Sequence, residues 1–191
     1  MRVKYSILIM IILFLNIFLQ AGDFRKCSWG MNPEQVKEME AGCTVYAEEN
    51  GCILYLSTVA NYKCIVAYYF TKNKLTSAFY KLDEPHTNLN DYIEDYLIIY
   101  KLILKKYGGP NDFPGPIRWD NTLYKSDNSQ WGFAISLGHL TYLSQWDTDT
   151  TYITSLLSGE NYKISIFLRY ESVKFKDLVD ELSEESNLED F

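Results

Sequence analysis

Residues 44–82 read TVYAEENGCILYLSTVANYKCIVAYYFTKNKLTSAFYKL, and their turn chemistry decides the fold. Runs rich in Val, Ile, Tyr, Phe and Thr (Thr44 to Glu48, Cys52 to Thr58, Tyr62 to Phe70, Lys74 to Leu82) are separated by Asn50-Gly51, Ala60-Asn61 and Lys72-Asn73. Asn-Gly is the strongest short hairpin signal, because both central residues of a type I′ turn need positive φ. The stretch therefore predicts a four-stranded antiparallel meander.

Just upstream, Asn32-Pro33-Glu34-Gln35 is a compact helix start. Asn32 can cap, Pro33 suits the first helical position, and Gln35 can reach back in a capping box. Met31 and Val36 are placed for a hydrophobic staple, and Gly42 closes the helix.

Downstream, a cap between Asn88 and Asp91 precedes the longest helix. Ile93, Tyr96, Leu97, Tyr100, Ile103, Leu104 and Tyr107 recur along it at three- and four-residue spacing, a stripe that must lie on a core. Gly108-Gly109-Pro110 stops it, and Pro and Gly through Pro116 mark a loop. Alternation then predicts strands at Trp131 to Leu137, at Leu140 to Trp146, and at Tyr152 to Ser158 turning through Gly159-Glu160 into Tyr162 to Tyr170. Phe175, Leu178, Val179 and Leu182 predict a terminal helix that frays into an acidic tail over 186–191.

The expected fold is α+β: two antiparallel β-meanders, each preceded by a helix (αββββ-like units over about 22–84 and 85–185), plus a C-terminal helix. The two units make a single domain over 22–185. They share an order of elements and no visible residue identity.

The N-terminus carries an address. Arg2 and Lys4 precede an apolar run from Ile7 to Leu19, and Gln20-Ala21-Gly22 offers small residues for cleavage, which is the pattern of a secretory signal peptide over 1–21. The run is shorter than the roughly 18–20 residues a spanning helix needs. Gly22 and Asp23 stand where a lipid-modified cysteine would be required, so no direct membrane anchor is expected after cleavage near Ala21. Losing Arg2 and Lys4 takes the formal charge from −7 to −9. An acidic surface has no cationic stripe to release counterions from a phosphate backbone, so nucleic acid is not an expected partner.

In an exported, periplasmic or secreted chain the four cysteines Cys27, Cys43, Cys52 and Cys64 can form two disulfides, in any of three pairings. Their spacing does not match paired zinc-ligand motifs. Asp147 and Asp149 with flanking threonines lack the glycine and distal Glu of a calcium loop, and fit a polar-capped hairpin turn. His86 and His139 are the two histidines, each in a turn or loop, and no G-x-S-x-G, P-loop or H-E-x-x-H pattern occurs. No catalytic residue, cofactor or metal ligand is assigned. Sixteen tyrosines, ten phenylalanines and four tryptophans are many for this length, and a core of two meanders under helices accounts for most of them. A sheet face left open with Tyr46, Tyr55 or Tyr68 on it would be a binding surface for a protein or glycan of the cell envelope. The rival expectation is a secreted hydrolase or small-ligand-binding protein whose site is assembled from distant residues.

Phe24-Arg25-Lys26-Cys27-Ser28-Trp29-Gly30-Met31-Asn32-Pro33-Glu34-Gln35-Val36-Lys37 resembles the opening of a group of uncharacterised bacterial exported proteins with a Trp-Gly-Met motif leading into a helix. Tyr69-Phe70 with Asn73-Lys74-Leu75, His86-Thr87-Asn88, Tyr107-Gly108, and Trp146 with Thr148 and Thr150-Thr151 are similar to the same group. The resemblance implies export and no assigned chemistry. More distantly, Gly30-Met31 leading into a helix and a meander is similar to modules of BamE-type outer-membrane assembly lipoproteins and β-lactamase inhibitor proteins. The chain departs from the former in having no lipid-attachment cysteine.

Overall fold

The computed structural model describes residues 22–49, 51–111 and 117–189, without side chains for 184–189. The signal-peptide expectation, most of the Pro and Gly loop, and the last two residues lie outside it. The order is α1 (Pro33–Met39), β1 (Thr44–Glu49), β2 (Cys52–Val59), β3 (Tyr62–Thr71), β4 (Lys74–Leu82), α2 (Asp91–Tyr107), β5 (Ile117–Trp119), α3 (Trp131–Ser136), β6 (Leu140–Asp147), β7 (Thr151–Glu160), β8 (Lys163–Ser172) and α4 (Lys176–Glu189). All strands join one eight-stranded antiparallel sheet in the order β1-β2-β3-β4-β8-β7-β6-β5. The fold is thus α+β, and the strand that joins its halves is β8, hydrogen-bonded to β4 through pairs such as Ala78↔Tyr170 and Tyr80↔Leu168.

Local chemistry accounts for the hairpins and the first helix. Ala60 and Asn61, Lys72 and Asn73, and Asn161 and Tyr162 all have positive φ, as type I′ turns require. In α1 the capping box is complete: Gln35 N donates to Asn32 Oδ1 at 2.9 Å, and Asn32 N donates to Gln35 Oε1 at 3.0 Å. Met31 and Val36 both contribute to one core cluster.

Two expectations of local structure need correction. Residues 131–136 form α3 and not a strand. Their alternation has a packing cause of another kind: Gly132, Ala134, Ile135 and Ser136 are buried where the helix meets α2 and β6 to β8. A Cβ on Gly132 would stand 2.3 Å from the Leu89 carbonyl carbon. Gly138, at φ +76, ends the helix, with its N–H on Ile135 O at 2.8 Å.

Secondly, the β7–β8 turn falls at Asn161-Tyr162 and not at Gly159-Glu160. Gly159 pairs with Ile164 inside β7, and glycine is required there because a Cβ would meet Ile135 O at 2.4 Å. The expected terminal helix is α4, which spans Lys176–Glu189.

One sheet face carries the core. From β2, β3, β4 and β8 it receives Ile53, Tyr55, Val66, Tyr68, Ala78, Leu168 and Tyr170, which pack with Phe24, Val36, Ile99, Ile103 and Trp146. Tyr96, Ile135, Leu140, Tyr142, Leu157 and Ile166 form a second cluster under α2 and α3. Burying each such side chain contributes on the order of 2–3 kcal/mol before entropy is counted. The α2 stripe is as expected except that Ile99, unremarked in the sequence, is also buried.

Candidate functional site

Strict alternation along each strand puts a second set of residues on the opposite face of the sheet. Register aligns Leu54 with Ala67, Leu56 with Ile65, Tyr69 with Ser77, Phe79 with Arg169, and Leu156 with Phe167. Among the described residues, no core-forming helix covers them. The helical residues bordering this face, among the described ones, are Lys176, Val179 and Asp180 of α4. Leu56 is 46% exposed and Tyr69 is 40% exposed, while Leu54, Ile65, Phe79, Leu156 and Phe167 are half-buried.

Across the middle of this face runs a trough. Its larger part, about 570 Å³, is lined by Tyr69, Phe79, Leu156, Phe167, Arg169 and Val179 among others. Tyr69 and Phe79 have ring centroids 5.7 Å apart, and Phe79 meets Phe167 edge-on at 5.8 Å. Lys81 places its ammonium 5.8 Å from the Phe167 ring, and Arg169 pairs with Glu171 at 2.9 Å. The smaller part, about 230 Å³, lies beside α4 and is mixed: Gln145, Asp147, Glu171, Lys176 and Asp180 line it together with Ile153 and Val179. The aromatic row thus grades into a charged end in which Arg169 and Lys176 stand among the carboxylates. The Asp147 turn beside it is the polar-capped hairpin, with Thr148 Oγ1 accepting from Thr151 N at 3.0 Å.

Two of the three tyrosines expected on an open face are elsewhere. Tyr46 is 61% exposed on the edge strand β1, but Tyr55 and Tyr68 are 2% and 0% exposed. Their register partners, Val66 and Ile53, share the core side, so parity sends both rings inward. Leu56, Tyr69, Phe79 and Phe167 take their place. The signal that could have found them is the same period of two, read once the helix-covered face was known.

Tyr68 belongs instead to a buried polar cluster. Its hydroxyl donates to Glu40 Oε1 at 2.5 Å, and Arg25 Nε lies 3.0 Å from the same oxygen. Cys43 Sγ donates to Glu40 Oε2 at 3.2 Å, and Arg25 Nη1 reaches Ser57 Oγ at 3.2 Å. Glu40 is 4% exposed. Burial lowers the Arg25 pKa, but Glu40 together with Tyr68, Tyr80 and Cys43 more than offsets it, so the guanidinium ends above its ordinary value. Burial, reinforced by the bond to Glu40, drives the Tyr68 phenol far up.

The four cysteines are thiols. Register explains why one attractive pairing fails: Cys64 faces the core opposite Ser57, whereas Cys52 lies opposite Tyr69 on the other face. Burial, with Glu40 adding, pushes the Cys27 thiol up to about 11. Burial also pushes Cys64 up to about 11. Among the described residues no cluster of metal-ligating side chains occurs.

His86 is held before α2. Its Nε2 lies 2.6 Å from Asp95 Oδ2, and its ring meets Tyr92 edge-on at 4.7 Å. His139 stacks on Tyr124 at 5.9 Å. Neither histidine borders the trough among the described residues. No protein-family model, curated protein or solved structure matches the chain.

Proposed function

We propose that the chain is an exported, non-enzymatic binding module, released after cleavage near Ala21, whose uncovered sheet face receives an extended segment of another envelope protein. The observation that carries this function is the trough: the rings of Tyr69, Phe79 and Phe167 stand in a row that, among the described residues, only α4 borders, on a sheet whose other face carries the core. Exposed aromatic rings in a contiguous row are the usual anchors of a protein interface. Asp147 and Asp180, which together outweigh Lys176 at the charged end, favour a partner segment with aliphatic or aromatic side chains followed by Lys or Arg. The resemblance of Phe24 to Lys37 to exported proteins supports the compartment. The organisation we propose is two helix-then-meander units, about 22–84 and 85–185, fused through β4 and β8 so that one broad face results.

The test is capture from envelope extract by the wild-type protein beside Tyr69→Ser and Phe79→Ser. Retention of one defined protein by the wild type, with at least tenfold less on either variant and unchanged circular dichroism, supports the function. Equal capture by all three contradicts it.

The second proposal is a secreted hydrolase, and it rests on the His86–Asp95 pair at 2.6 Å. Hydrolysis of a model ester or glycoside that His86→Gln abolishes would replace the binding function with this one.

A further inference from the structure

On the core side of the sheet, away from the trough, a cavity of about 170 Å³ opens between the C-terminal half of α2 and the β2–β3 turn. Its walls are almost wholly apolar: Val59 and Leu82 from the sheet, Ile99 and Ile103 from α2, and Leu168 from β8, with Cys64 in the lining. Protein interiors close on themselves to near crystal density, so a space of this size beside a packed core is notable. An apolar cavity of about 150 Å³ is large enough to take benzene.

The walls are held by contacts that do not depend on an occupant. The Tyr80 ring lies 4.7 Å from Phe24 and 6.1 Å from Tyr170. Tyr170 is further tied to the Tyr107 hydroxyl, and Cys64 Sγ donates to Ser57 O at 3.5 Å. Ile99 and Ile103 are buried by the same sheet. Collapse into the space would have to disrupt these contacts, apart from Leu102, whose side chain stands half exposed at the rim.

The interior is also uncharged at neutral pH. Burial keeps the Cys64 thiol and the Tyr80 and Tyr170 phenols protonated. The cation in the lining is Lys106, whose ammonium sits 4.7 Å from the Tyr107 ring. An ion inside would lose its hydration without a partner, whereas a neutral ring would lose only water contacts.

We infer that this cavity is a binding site for a compact, neutral apolar ring, about toluene or indole in size. The ring lies between Ile103 and Leu168, and any polar substituent points outward past Lys106. The site is independent of the trough, so a molecule held here does not compete with a partner on the other face.

Indole and toluene are the probes. The protein expressed from its complete chain is melted with and without each probe at tenfold its dissociation constant, and methyl NMR spectra are recorded in parallel. A rise in Tm of about 3 °C or more is expected, with NOEs from the bound ring to the Ile103 and Leu168 methyls. Leu102→Trp, at a half-exposed rim position, should plug the site and weaken binding at least tenfold. Phe79→Ser, on the opposite face, should leave it unchanged. The NOEs are read on the wild type, so they decide the matter even if Leu102→Trp misfolds. Absence of both the Tm rise and the NOEs at the probes' solubility limit overturns the inference, as does binding that a folded Leu102→Trp protein retains in full.

Discussion

The indole Nε1 of Trp29 donates to Oγ1 of Thr151 at 2.9 Å, joining residues 122 positions apart. The Trp-Gly-Met opening is thereby fixed to the first residue of β7, while Gly30 N and Met31 O bond Leu75 of β4 at 2.9 and 2.7 Å. A short N-terminal segment therefore clamps strands from both halves of the sheet. Gly30 has φ +89, and a Cβ there would come within 3.2 Å of the Phe175 ring, so glycine suits both the backbone and the space.

Thr151→Val keeps the shape of a side chain that is only 4% exposed and removes the acceptor. The Trp29 N–H then has no protein partner, a loss of about 1–3 kcal/mol. Urea unfolding followed by tryptophan fluorescence should show that loss as a lower midpoint with an unchanged slope.

Arg25→Met leaves the Glu40 carboxylate in the core with Tyr68 and Cys43 as its remaining donors. Breaking a buried pair from one side costs about 3–5 kcal/mol, and the low end applies here because the Arg25 side chain is partly exposed. Arg25→Met combined with Glu40→Gln should recover part of the loss. Chemical denaturation of the single and double variants gives the coupling directly, and additive losses would mean that the two groups do not interact.

Hydrophobic period and turn chemistry made much of this legible beforehand. Asn32 to Gln35, the left-handed pairs at Ala60-Asn61 and Lys72-Asn73, and the α2 stripe are local signals, and the structure follows them. The errors arose where distant parts of the chain decide. Trp131 to Leu137 alternates like a strand, but a helix there buries Gly132 against Leu89 and Asn90, with Gly132 N on Asn90 Oδ1 at 2.6 Å. Period two divides β2 and β3 into two faces, but distant helices decide which face is covered, so Tyr55 and Tyr68 turn into the core while Tyr69 and Phe79 lie on the other side. No local signal marks the meeting of Arg25, Glu40 and Tyr68.

The thiols supply a test in alkali. Cys27 and Cys64 are raised from 9.0 to about 11 by burial. Between those values the unfolded chain has released both protons and the folded chain has not. Their contribution to stability is therefore full below pH 9 and is lost as pH climbs from 9 towards 11. Denaturation midpoints measured from pH 7 to 11 should fall over that window, and Cys27→Ala with Cys64→Ala should flatten the fall. At pH 8, iodoacetamide should modify the half-exposed Cys43 and Cys52 first. In denaturant without reductant the mass should show four modified thiols, whereas two or none would establish disulfides.

The proposal that the open sheet face meets a partner is tested most directly by site-specific photo-crosslinking in the cell. A benzophenone side chain is placed singly at Leu56, Tyr69 and Phe79 on that face, and at Leu123 and Ile98, which are exposed apolar positions elsewhere. One partner protein, linked through the same short segment from all three face positions and from neither control, is the predicted result. Crosslinks that are absent from the face, or equally abundant at Leu123 and Ile98, would contradict it.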